Sequence, residues 1–90
     1  MNRRPGAADI DAALRAALMP HSLEVLDDSH RHAGHAGARE GGHFTVLITS
    51  ERFAGLPRVA RHRLVYDALR SLMPGGIHAL AIVARAPDEA

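Results

Sequence analysis

Apolar residues first recur at helical spacing in the stretch "ADIDAALRAALM". Ile10, Ala13, Leu14, Ala17 and Leu18 fall on one stripe of a 3.6-residue repeat. Ala8 or Asp9 stands at the helix start, Asp9 and Asp11 suit its positive end, and Pro20 stops it. The pattern then switches to alternation. In "SLEVLDD", Leu23 and Val25 face one side, Glu24 and Leu26 the other. In "HFTVLITS", Phe44, Val46 and Ile48 point inward. The segment between these strands, residues 29 to 42, has no apolar period. It predicts a hairpin with a long tip, and connections of that length are functional or disordered.

A second helix follows in "PRVARHRLVYDALRSLM", with Pro57 in its first turn. Leu64, Val65, Ala68, Leu69, Leu72 and Met73 share a broad arc that also takes in His62 and Tyr66. Arg63, Asp67, Arg70 and Ser71 lie opposite, and Arg63 and Asp67 are spaced for an i,i+4 ion pair. "PGG" ends the helix. "IHALAIVA" is apolar on both faces, which predicts a strand central in its sheet. The order helix, strand, strand, helix, strand gives an α+β fold. It is a two-layer sandwich in which both helices cover one face of a three-stranded sheet. Residues 1–7 read as a disordered N-terminus, 8–87 as the domain, and 88–90 as a disordered tail.

Ninety residues make one domain with a small core and no room for a deep substrate cavity. That size argues against a self-sufficient enzyme and for a binding or adaptor module. Eleven basic residues nearly balance ten acidic ones, which argues against strong nonspecific nucleic-acid binding. Every basic residue is arginine, and with the abundant alanine and glycine this suggests a GC-rich bacterial source. There is no cysteine, so any transition-metal ligand must be histidine or carboxylate. No apolar run approaches membrane-spanning length, and the expected compartment is the cytoplasm.

The histidines are the first candidates for chemistry. There are seven, and "SHRHAGHAG" places His30, His32 and His35 within one loop. Their spacing lets a loop bring two imidazoles onto one ion, and composition alone fits a solvated turn equally well. His78 opens the last strand after the two glycines, on the alternation shared by Leu80 and Ile82, at the strand's mouth. His62 reads as a packed histidine, His43 and His21 as structural or solvent-exposed. No serine stands in a nucleophile-elbow context. "GHAG" matches the GxxG of KH domains but lies between strands rather than helices, so it carries no weight. Arg58, Arg61, Arg63 and Arg70 make the second helix mildly basic, a solvated face or a phosphate contact.

Three segments together resemble the BolA-like family: "LEVLDDSHRHAGH", "HFTVLITSERFAGLPRVARHRLVYDAL" and "GIHALAI". The resemblance runs from about residue 8 to 87, and "RHRLVY" and "GIHALAI" at this separation are its most specific parts. It implies a class II KH-like α-β-β-α-β fold. It also implies pairing with a monothiol, CGFS-type glutaredoxin. The two proteins share a bridging [2Fe–2S] cluster, with glutathione and glutaredoxin supplying sulfur and the BolA side supplying histidine or cysteine, here necessarily histidine. The family's strand ligand maps onto His78 and its loop ligand onto His32. The loop here is longer than expected and also carries His35 and His30, so His35 stands as an alternative. The resemblance admits a second role, DNA-binding transcriptional regulation through Arg58, Arg61, Arg63 and Arg70. A third reading is a stand-alone zinc-binding or pH-responsive domain. Alone, the chain is expected to be a monomer or weak dimer without membrane attachment.

Overall fold

The computed structural model describes residues 5–29, 42–74 and 76–89. Helix α1 spans Ala7–Leu18 and strand β1 Ser22–Asp27. Strand β2 spans Gly42–Thr49, helix α2 Arg58–Ala68 and strand β3 Ile77–Arg85. The predicted α+β order is therefore present. Helix α1 starts slightly earlier than its sequence indicates, with Gly6 as the N-cap. Asp9 then sits at the third helical position, and its Oδ2 accepts the Gly6 N–H at 2.7 Å. This is the carboxylate half of a capping box, and Asp9 works there without being the cap itself. Helix α2 stops at Ala68, and Arg70–Leu72 continue as a 3-10 turn, short of the unbroken helix to Met73 that the periodicity predicts.

The sheet order is β1-β2-β3. Strands β1 and β2 are antiparallel, with Val25 opposite Val46, while β2 and β3 run parallel through the α2 crossover. β3 is thus an edge strand, contrary to the central position its apolarity suggests. Its two-sided apolarity is shallow. The residues on its outer face are Ala79, Ala81 and Val83, and they remain exposed.

The opposite face carries the core. Ile10, Leu14 and Leu18 of α1 and Val65 and Leu69 of α2 meet Phe44, Val46 and Ile48 of β2 and Ile77 of β3. Phe53 from the Glu51–Phe53 turn is fully enclosed among them. Leu23 and Val25 pack against this cluster while Glu24 and Leu26 are exposed, as alternation predicts. Tyr66 departs from its expected place on the apolar arc and is 40% exposed. Asp67 pairs with Arg70 at 2.8 Å instead of with Arg63.

The C-terminus is more ordered than its polar sequence suggests. Ala86 is buried, Pro87–Glu89 form a 3-10 turn, and Glu89 is locked to Arg61. The folded body therefore reaches Glu89 rather than ending at residue 87. No helix among the described residues is long and apolar enough to cross a membrane.

Candidate functional site

The β2–β3 ladder contains one irregularity. Gly42 pairs with Ile77 but His43 pairs with Ala79, so His78 is an extra residue in β3. A bulge of this kind bends the strand and re-aims one side chain. Strict alternation back from Leu80 would turn His78 toward the core. The bulge leaves it exposed instead, between buried Ile77 and exposed Ala79. Its imidazole stands beside that of His43, with ring centroids 5.2 Å apart and planes tilted by 51°.

Two glycines hold this corner. The Gly42 N–H donates to the Gly76 carbonyl at 2.9 Å, joining the start of β2 to the residue before β3. A Cβ on Gly76 would run into the Pro5 ring and lie 2.7 Å from the Leu72 carbonyl oxygen. A Cβ on Gly42 would overlap the Phe44 ring. Any side chain at either position would push the bulge, and His78 with it, out of place.

The end of β1 is tied to the same corner. Asp28 N–H donates to the His43 carbonyl at 2.7 Å, and His43 N–H donates to Ser29 Oγ at 2.9 Å. Thr45 Oγ1 donates to Asp28 Oδ2 at 2.7 Å, and Ser29 N–H to Asp27 Oδ1 at 2.9 Å. Asp28 and Ser29 are thus tied to the start of β2 through His43 and Thr45. His30, His32 and His35 lie outside the described residues.

The remaining predicted positions separate. His62 is half-buried in a groove between α2 and β3, and His21 makes an exposed contact with Glu51 at 2.9 Å. Arg58, Arg63 and Arg70 are exposed on α2. Arg61 is turned inward. Its Nε donates to the Leu56 carbonyl at 2.7 Å, and Nη1 to the Ala84 carbonyl at 3.1 Å. Nη1 and Nη2 together grip both Glu89 oxygens at 2.6 and 2.8 Å. This fork holds the Glu89 carboxyl down at about 2, with the Ala86 N–H as a second cause. Sequence reasoning missed His43 as a neighbour of His78. The available signal was its place at the start of a strand directly after two glycines.

The model of the BolA-like protein family matches residues 14–89. The chain belongs to the BolA-like family. The BolA domain of SufE1 from Arabidopsis thaliana superimposes with a TM-score of 0.82 at 45% identity, covering 93% of this chain and 94% of that one. The chloroplastic protein BOLA1 of the same plant is 45% identical over 84% of this chain. The DNA-binding transcriptional regulator BolA of Escherichia coli is 42% identical over 81% of this chain and 68% of its own length. This BolA-like chain spans half the length of BOLA1 and 22% of the whole SufE-like protein 1.

Proposed function

We propose that this BolA-like chain is a non-enzymatic iron–sulfur adaptor, which pairs with a monothiol CGFS-type glutaredoxin to hold a bridging [2Fe–2S] cluster. The observation that carries this reading is the bulge, which presents the His78 imidazole to solvent from a rigid strand end. A ligand shared with another protein must be both exposed and held in place, and a bulged strand residue meets both needs. The donor set fits as well. With no cysteine in the chain, its contribution is imidazole nitrogen, and two imidazoles would supply only two of the four terminal ligands a [2Fe–2S] cluster takes. Sulfur from the partner and glutathione would supply the others. Histidine ligation of such a cluster raises its potential above that of an all-thiolate centre.

His78 is the fixed ligand in this reading, and His32 the second ligand, with His35 as its substitute. Ser29, the residue before His30, is hydrogen-bonded to His43, whose ring stands beside that of His78.

The test is anaerobic reconstitution of the chain with a CGFS-type glutaredoxin and glutathione, wild type against His78→Ala, read by visible circular dichroism. A spectrum distinct from that of glutaredoxin alone, lost in His78→Ala, is expected. His32→Ala should alter that spectrum, and an unchanged one would move the second ligand to His35 or His30. A wild-type spectrum identical to that of glutaredoxin alone would remove the cluster role.

The likeness to the E. coli regulator favours DNA binding as the second reading. Its phosphate contacts would fall to Arg58, Arg63 and Arg70, because Arg61 is engaged internally. It predicts salt-dependent DNA affinity that falls on Arg→Ala changes at those three positions and is indifferent to His78.

A further inference from the structure

No described strand pairs with the far edge of β3. Which backbone groups that edge offers follows from the hydrogen bonds. The Arg85 carbonyl accepts from Ser50 and so points toward β2, whereas the Ala84 carbonyl accepts from Arg61 and points away. From Ala79 to Arg85 the pairing is regular, so Leu80 and Ile82 share the outward direction of Ala84. At the C-terminal end this edge is already occupied by side chains. Arg61 takes the Ala84 carbonyl and Glu89 takes the Ala86 N–H at 3.0 Å. These are the groups a fourth strand would bond there, so the Arg61–Glu89 pair blocks strand addition beyond Ile82. Among the described residues, the stretch from Leu80 to Ile82 carries no such cover.

The two sides of this open stretch differ in chemistry. On the helix side runs a groove of about 530 Å³, whose polar lining from α2 is Arg58, Arg61 and His62; Val83 and Arg85, from the outer alternation of β3, also line it. No carboxylate among the described residues lines it, and Glu89 is paired with Arg61; the exposed Asp88 is the remaining carboxylate in that turn. On the outer side the neighbours are Ala79, Ala81 and Val83, the last 40% exposed.

We propose that the Leu80–Ile82 edge of β3 accepts an extended segment of a partner protein whose residues alternate acidic and apolar. Its carboxylates would face Arg58 and His62, its apolar residues would lie beside Ala81 and Val83, and the Arg61–Glu89 pair would set where it stops. Such strand addition takes affinity from main-chain bonds and specificity from alternate side chains. A second copy of this chain fits less well, since it brings another arginine-lined groove to the same edge within a Debye length. This inference stands independently of the cluster reading.

The test is amide hydrogen exchange by NMR on the full chain, with a capped eight-residue peptide alternating valine and glutamate. The control peptide has lysine for glutamate. Exchange at the Leu80 and Ile82 amides should slow at least tenfold with the acidic peptide and not with the basic one. Arg58→Glu, at an exposed helix start where a carboxylate is well tolerated, should weaken the acidic peptide at least tenfold. Unchanged exchange at both amides up to millimolar peptide would overturn the proposal, as would equal slowing by both peptides. Concentration-dependent protection without peptide would assign the edge to a second copy instead. A DNA oligonucleotide that perturbs Arg58 while the acidic peptide does nothing would make the groove a nucleic-acid surface.

Discussion

Met19 closes α1 in the left-handed region, at φ 43° and ψ 59°, and is 66% exposed. A side chain with a Cβ costs roughly 1–2 kcal/mol in that conformation, and so little of Met19 is buried that its packing cannot repay it. Met19→Gly removes the clash but adds freedom to the unfolded chain. The balance favours the variant by about 0.5–1 kcal/mol, read as a higher urea midpoint at unchanged slope. A lower midpoint would mean that the Met19 side chain holds more than its exposure indicates. The histidines make the complementary point at this scale. His78 could be singled out in the sequence, but its direction could not, because one inserted residue reverses the face that alternation assigns. His43 escaped notice for the same reason: the 5.2 Å approach of its ring exists only once β3 bulges toward it.

At the scale of elements, the Arg61–Glu89 fork joins α2, the end of β3 and the last turn. Its partners lie 28 positions apart, and nothing in either residue's local pattern announces the pair. Sequence therefore left Arg61 on a basic helix face and residues 88–90 in a tail. The fork makes a pH prediction. Glu89 titrates near 2 when folded, against an ordinary value of 4.5. A depressed carboxyl pKa adds stability that is fully present above the ordinary value and lost as pH falls from about 4.5 toward 2. Arg61 stays charged throughout. The melting-temperature difference between wild type and Glu89→Gln should be largest at pH 5 to 7 and shrink toward pH 2. Taking the difference cancels the other carboxylates, so a gap that stays constant with pH would show that the ion pair contributes nothing specific. The hairpin, by contrast, was legible, because Leu23, Val25, Phe44, Val46 and Ile48 alternate cleanly. The sheet order was not. Counting apolar residues gave Ala79 and Ala81 the same weight as leucines, although alanines cover too little area to demand a second layer.

The molecule as a whole has one dry face and one wet one, and this division governs what can change without loss of the site. Both helices pack on the face that carries Phe44, Val46 and Ile48, and among the described residues the buried core comprises about a dozen side chains. A ninety-residue domain holds roughly 5–13 kcal/mol of stability, so a single core truncation removes a large share of it. Leu69, fully buried between α2 and the sheet, should cost about 3 kcal/mol as Leu69→Ala, from lost burial and the cavity left behind. Val83, on the outer face, should cost no more than about 0.5 kcal/mol as Val83→Thr, because its surface is already wet and threonine keeps the β-branch. His78→Ala, an exposed change at a bulge, belongs with Val83. Urea unfolding of the three variants checks this division. A large loss at Val83 would mean that the outer face is covered in solution, and a large loss at His78 would tie the imidazole to the fold. With the expected ranking, a cluster lost in His78→Ala is a loss of ligation from an intact domain.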